Sequence, residues 1–407
     1  MFKLIPEQSS FFLVTYVLNA MNNWAFKFIA PLALYAETQS LQMMTVSYGL
    51  LFTPNIISPP IINLIDGKLK RKSGLLGLNM MGGGLCVFGF FYFKQGFNIA
   101  AFLIMIFLLS TTLTLFQTLI HSTMKNMLSE KIAIENMSRR LAFFDSLFPA
   151  MGPLIGATLL SVFSYSTVFL IIAVVYGTSM MNLGMVQINE EDVSRVKGSF
   201  INRTTRGFSL IRTSPFVNFL MKRFFLSNIA LHGFQSVLTF YLIDRFNLSA
   251  LNVGFFFAAS ALGLMVGSRL GRLIYAHEIN KWYVIASTGI VCALCLIITP
   301  LMSNVIIPCL AWCVVMLLSS INLIVFYTER QVNFRQADTA SVIAASYVII
   351  YSAIPLGSAL SFILARYFNA GETLLILGGY LLLIGFYFLY LAFRKQKVLM
   401  KEMLSDS

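Results

Sequence analysis

Ile188-Asn-Glu-Glu-Asp192-Val-Ser-Arg-Val-Lys-Gly-Ser-Phe200-Ile-Asn-Arg-Thr-Thr-Arg-Gly-Phe-Ser-Leu210-Ile-Arg-Thr-Ser-Pro215 is the longest polar interruption in a chain of 407 residues, and it falls almost at the midpoint. It opens on acids and then turns basic, with Phe200, Phe208, Leu210 and Ile211 interspersed. That is the pattern of a linker that is in part an interfacial amphipathic helix. On either side the chain is a succession of apolar runs of about 20 residues, each long enough to cross a hydrocarbon core of roughly 30 Å. Composition agrees, since 58% hydrophobic and only 11% charged residues lie far from the averages of soluble domains.

The runs predict twelve transmembrane helices, at 11–35, 44–65, 73–93, 98–120, 139–163, 164–187, 219–243, 252–275, 282–303, 305–327, 340–367 and 370–393. The expected fold is therefore all-α and integral to the membrane. An N-terminal six-helix bundle would cover 1–187, a cytoplasmic linker 188–217, a C-terminal six-helix bundle 218–393 and a basic cytoplasmic tail 394–407. The first run continues past the length of a signal-peptide core and lacks a small-residue cleavage site, so no cleavable leader is expected.

The formal charge of +13 raises the question of a nucleic-acid partner, and its distribution answers it. With the N-terminus inside, alternate connections hold all but four of the 29 Lys and Arg residues, including Lys68 to Lys72, the seven from Arg195 to Arg223, and Arg330. The exceptions are Lys94, Arg245 and Arg366 on the other side and Lys27 within the first span. By the positive-inside rule both termini are expected in the cytoplasm, the span number is even, and the basic excess reports orientation rather than nucleic acid.

Sliding the chain against itself by 205 positions brings the two halves into register. Tyr48-Gly-Leu-Leu-Phe52 then lies over Val253-Gly-Phe-Phe-Phe257, Asn23 over Asn228, Lys27 over His232, Gln117 over Asn322, and Gly152 over Gly357. Three local motifs add to this. After the second run, Ile62-Asn-Leu-Ile-Asp66-Gly-Lys-Leu-Lys70-Arg71 keeps the acid and two basic positions of G-x-x-x-D-R-x-G-R-R, through Asp66, Lys70 and Arg71, but lacks both glycines and the first Arg. In the fifth run, Gly152-Pro153-Leu-Ile-Gly156-Ala157 matches most of G-P-x-x-G-G. In the eighth, Ala259, Gly263, Gly267 and Gly271 form a small-residue stripe suited to close helix packing.

With these features the chain resembles a major facilitator superfamily transporter over essentially its full length, nearest in layout to the bacterial branch of macrolide-efflux and siderophore-export proteins. The resemblance implies that Asp66, Lys70 and Arg71 form a cytoplasmic gating latch, that Gly152, Pro153 and Gly156 form an exporter-like helix motif, and that the first, fourth, seventh and tenth helices line the pathway.

Polar residues at membrane depth are costly unless they face a cavity or a partner, so they mark candidate substrate contacts. Asn19, Asn23 and Lys27 are spaced by four on one face of the first helix, with Asn22 beside them; Asn228, His232 and Ser236 repeat the spacing in the seventh, with Gln235 adjacent. Gln117 and Asn322 extend the two-fold pattern with amides that both donate and accept. These residues are expected to line a site near the bilayer midplane, with Lys27 favouring an anion. An ammonium that pairs with a carboxylate, or reaches the membrane interface, with no transport role is the alternative. Asp145, in the fifth run, is the sole acid placed inside a span and could carry a proton or pair with Arg139 or Arg140. His232 is the second candidate for proton coupling.

Enzyme chemistry is not expected, because His121, His232 and His277 are far apart in sequence and no H-E-x-x-H, G-x-S-x-G or Walker motif occurs. The five cysteines lie in apolar runs without a His or acid to complete a metal set, so neither metal nor cofactor is expected. The expectation is a monomeric secondary transporter of the bacterial inner membrane. It would export a small organic molecule, an amphiphilic drug or a polycarboxylate siderophore, driven by a proton or other ion gradient through alternating access. Uptake of such a compound, or a non-transporting membrane sensor or scaffold, are the alternatives.

Overall fold

The computed structural model describes residues 7–65, 70–127, 131–188, 200–277 and 279–405. Fourteen helices account for all the regular structure among them: α1 (Glu7–Thr38), α2 (Leu41–Phe52), α3 (Pro54–Ile65), α4 (Arg71–Gln95), α5 (Ile99–Met127), α6 (Lys131–Val162), α7 (Tyr165–Gly184), α8 (Phe200–Thr213), α9 (Pro215–Phe246), α10 (Ala250–Ala276), α11 (Lys281–Leu301), α12 (Ile306–Val332), α13 (Gln336–Leu364) and α14 (Ala370–Ser405). Nine of the described helices are long and apolar enough to cross a membrane, or ten if the bent α6 is one span. Large apolar side chains stand exposed on them, among them Met80 and Phe88 on α4 and Leu383 on α14. Such surface is stable only against lipid, so the protein is a multi-pass membrane protein.

The chain divides into two compact units, Met1–Phe200 with Ser249–Ala258, and Ile201–Leu248 with Ala259–Ser407. In the first, α1 packs on α6 and α7, and α4 packs on α7 and α5. One apolar cluster is built around Phe26, Ile29, Phe102, Ile106 and Phe169, and another around Phe12, Tyr16, Phe116, Ile120 and Phe148. The α6 face carrying Gly152 and Gly156 is what lets it approach α1, because a Cβ on Gly152 would collide with Trp24 and one on Gly156 would lie 3.1 Å from the Ala25 carbonyl oxygen.

In the second unit α9 packs on α13 and α14, and α11 on α14 and α12. The stripe on α10 packs on α12, with Gly263 against the Cys313 carbonyl and Gly267 against that of Leu317. Part of the midpoint linker, 189–199, lies outside the described residues. Its basic portion is α8, which buries Thr204, Gly207 and Ile211 at helical spacing, and Gly207 meets the Ser341 carbonyl of α13. The amphipathic segment thus packs part of its face on protein, and Arg206 pairs with Asp338 at 2.5 Å.

Several element boundaries differ from the sequence expectation. The run 44–65 is two helices broken at Thr53, because Pro54 has no N–H to continue α2 and is instead preorganised to begin α3. The run 139–163 begins earlier, at Lys131, and bends by 47° between Asn136–Asp145 and Leu147–Val162. Pro149 explains where. It cannot bond the carbonyl four residues back, which belongs to Asp145. The run 219–243 begins at Pro215, with the Ser214 side chain capping the Val217 N–H, and the run 305–327 continues to Val332.

Candidate functional site

The first unit collects its polar side chains around Asp145. The bend in α6 presents this carboxylate to α1 and α5. Tyr16 of α1 donates its hydroxyl to Oδ1, Gln117 Nε2 of α5 donates to the same oxygen at 3.3 Å, and His121 Nε2 lies 3.5 Å from Oδ2. The Tyr16 ring meets the His121 ring edge-on with centroids 5.3 Å apart. Gln117 Oε1 in turn accepts from Asn23 Nδ2 at 3.1 Å, so a chain of hydrogen bonds runs from the α1 face to the acid. Asp145 is therefore not paired with Arg139 or Arg140, as one expectation had it; the Arg139 guanidinium donates to Asn136 instead.

Asn19 donates to Ser179 Oγ at 2.6 Å and to the Thr15 carbonyl, while Asn79 reaches the same Ser179 oxygen at 3.0 Å. Asn22 sits 3.5 Å from the Ile172 carbonyl, a contact with α7. The Asn19 and Asn23 side-chain carbonyls are buried without an acceptor's partner among the described residues. A cleft of about 10 Å³ between Tyr16, Asn19, Asn23 and Gln117 offers the room of about one water at most. Lys27 stands apart from that cleft, with its ammonium 4.4 Å from the Trp24 ring centre and 4.7 Å from that of Phe52. No carboxylate lies within ion-pair distance of it among the described residues.

In the second unit a cavity of about 190 Å³ is lined by Asn228 and Asn322, and by Arg223, Ser227, Ser319 and Ser320. Arg223 is 3% exposed, and its Nη2 donates to Thr288 Oγ1 at 3.3 Å; that hydroxyl lies 2.8 Å from Asn322 Oδ1. His232 and Gln235, further along α9, do not line this cavity. Of the nine candidate contacts, the structure thus brings together Asn19, Asn23 and Gln117 in one unit and Asn228 and Asn322 in the other.

Of the expected latch, Asp66 lies outside the described residues, and Lys70 and Arg71 are the residues at the start of α4. One tie made there is that of Lys72, whose ammonium donates to the carbonyls of Gly184 and Val186, both at 2.8 Å. A cation at the C-terminal end of α7 satisfies carbonyls that the helix leaves open.

Four residues escaped the sequence reading. Arg223 and Arg330 were counted with the cytoplasmic connections, yet both are buried, Arg330 at 5% exposure against the rings of Phe326, Tyr327 and Tyr347. Glu329 is 7% exposed inside the last turn of α12 and pairs with Lys281 at 2.7 Å, so Asp145 is not the sole acid inside an apolar helix. His121 had a usable signal, since it follows Gln117 by four residues and so shares its helix face.

A family model described as Major Facilitator Superfamily matches residues 12–358. No curated protein matches the chain. Among solved structures, a bacterial homologue of the human lysosomal transporter Spinster, inward-facing and unoccupied, is similar with a TM-score of 0.71 at 14% identity, covering 96% of each chain. The nucleoside transporter NupG gives 0.69 at 13% identity, covering 93% of this chain and 99% of that one. A POT family transporter in complex with a thioalcohol-conjugated peptide gives 0.66 at 13%, covering 95% and 96%. At such identities the likeness is one of fold. A helical membrane chain whose two units each bury a polar cluster, matched along most of its length by the family model, is a transporter and not an enzyme, and it belongs to the Major Facilitator Superfamily.

Proposed function

We propose that the protein couples proton movement to export of a small organic molecule by alternating access. The single observation that carries this is the Asp145 cluster: a carboxylate at a helix bend, held by a phenol, an amide and an imidazole contributed by two other helices. A carboxylate so placed can take and release a proton, and its chain through Gln117 to Asn23 links that event to the polar face of α1. Coupling is placed on Asp145 because it sits in a network of titratable and amide groups.

Twelve spans fit this chain when the polar α1, the broken pair α2 and α3, and the bent α6 are each counted once beside the nine apolar helices. α1 is less apolar than those nine because Asn19, Asn22, Asn23 and Lys27 lower its mean hydropathy. With α8 as the linker, both termini would be cytoplasmic and the protein would act as a monomer in a bacterial inner membrane. Export is favoured by the Gly152-Pro153 element, which resembles the G-P-x-x-G-G pattern of exporters in the superfamily. An anionic substrate, such as a polycarboxylate siderophore or an acidic amphiphile, is favoured by Lys27, a cation without a carboxylate among the described residues.

The test is efflux of labelled anionic chelates from proteoliposomes under an imposed pH gradient. Gradient-driven efflux in the wild type that Asp145→Asn abolishes, while gradient-free exchange of the same chelate continues, is the expected result. Efflux by Asp145→Asn that still follows the gradient would remove Asp145 from coupling.

A further inference from the structure

Among the described residues the Arg223 guanidinium is a buried cation with little to balance it beyond the face of the Phe224 ring, whose centre lies 5.8 Å from Cζ. It carries five N–H donors, and among the described residues its one hydrogen bond is to Thr288 Oγ1. No carboxylate lies within ion-pair distance of it there. Leaving such a charge uncompensated at 3% exposure is costly, and the structure makes room for it deliberately: a Cβ on Gly289 would lie 2.9 Å from Nη2. The guanidinium borders the 190 Å³ cavity, with Asn228 and Asn322 at the same walls and the Ser227 hydroxyl buried there without a partner.

We propose that the Arg223 cavity binds the carboxylate group of an organic anion, with the guanidinium as its charge partner and Ser227, Asn228 and Asn322 as its hydrogen-bonding neighbours. A planar carboxylate suits the fork of a guanidinium. One positive charge among walls such as Phe224, Leu264, Phe326 and Leu381 balances a monoanionic head, whereas a phosphate dianion would bring a second, unmatched charge into an apolar setting. Whole drug-sized ligands fill roughly 300 to 1,000 Å³, so this cavity takes a small acid or the acidic head of a larger one. The assignment rests on the transporter reading for calling the ligand a substrate, and it names a residue and a cavity in the second unit that the Asp145 cluster does not involve.

Three probes of one shape separate the possibilities: benzoate, benzamide and benzylamine, added to the full-length protein in detergent with inorganic phosphate at matched ionic strength as the competitor. Binding is read as thermal stabilisation. The expected result is that benzoate binds roughly tenfold or more tightly than either relative, and that Arg223→Gln erases the preference. Arg223→Gln without ligand should melt at or above the wild type, since it removes an unbalanced buried charge; a structural arginine would melt lower. Ser227→Leu, which fills the cavity and leaves the charge, should also lose benzoate. Equal binding of benzoate and benzamide to the wild type overturns the proposal, as does a preference that survives Arg223→Gln, and tighter binding of phosphate overturns the carboxylate. Because no gradient is used, intact proton-driven efflux without Arg223-dependent binding sinks this site alone, and Arg223-dependent binding without efflux upholds the site while sinking the proton-coupled export reading.

Discussion

His121 and Asp145 stand 3.5 Å apart across the α5 and α6 interface, imidazole Nε2 to carboxylate Oδ2, with Tyr16 and Gln117 on the other carboxylate oxygen. The two oxygens are thus held by different partners, and losing one partner leaves the other set in place. His121→Gln should therefore slow proton-driven efflux by roughly ten- to a hundredfold, the worth of one hydrogen bond to a charged group, and keep it gradient-dependent. Asp145→Asn should abolish the gradient dependence outright. Initial efflux rates at a fixed pH gradient check the ranking, and a His121→Gln loss as complete as that of Asp145→Asn would make the imidazole an obligatory carrier.

Gln117 joins Asp145 to Asn23 through one donated and one accepted hydrogen bond. Gln117→Leu keeps the volume close but breaks both. Proton uptake should then persist while its dependence on substrate falls, which appears as proton movement in proteoliposomes that added substrate no longer stimulates. Unchanged substrate-stimulated proton movement would show that the chain through Gln117 carries no coupling.

Gly152 and Gly156 face the same helix but not with the same clearance. A methyl on Gly152 meets the Trp24 Cβ and backbone, whereas on Gly156 it meets atoms at 3.1 Å or more. Gly152→Ala should lower stability by about 1–3 kcal/mol and Gly156→Ala by less, because overpacking against backbone has no flexible side chain to yield. Thermal melting of the two variants in detergent gives the order directly.

The buried Glu329 and Lys281 pair joins the start of α11 to the end of α12 at 2.7 Å, with Asn333 donating to the second carboxylate oxygen at 2.9 Å. Glu329→Gln should cost about 1–3 kcal/mol, below the figure for a fully buried pair because the Lys281 side chain is a third exposed. Lys281→Met in the Glu329→Gln background should add little, and a double-mutant cycle on melting temperature measures that coupling.

How much of this was legible in the sequence depends on where each helix was taken to begin and end. The Asn19, Asn23 and Lys27 spacing needed only the period of a helix, and the small-residue stripes of α6 and α10 needed only that close backbones exclude side chains. Arg223 was lost because Lys222-Arg223 looks like the charged edge of a span, while the true start is set by the Ser214 cap and Pro215, more than two turns earlier. Glu329 was lost in the same way at the far end of α12. The partners of Asp145 come from α1 and α5, and no local pattern encodes which helices a bend at Pro149 will bring the carboxylate to.

Lys27 tests the substrate charge from the first unit independently of Arg223. Its ammonium lies over Trp24 and Phe52, so part of its cost of burial is met by the ring faces, a contact that arginine can also make and methionine cannot. If the cation serves an anionic substrate, Lys27→Met should cut efflux of anionic chelates by roughly tenfold or more while leaving cationic dyes unaffected, and Lys27→Arg should retain most of the wild-type rate. If the ammonium only packs on the two rings, Lys27→Met should change neither class of efflux and alter only melting temperature. Anion and dye efflux measured side by side on the same preparations tells the two apart, because a general loss of folded protein lowers both and a loss of charge recognition lowers one.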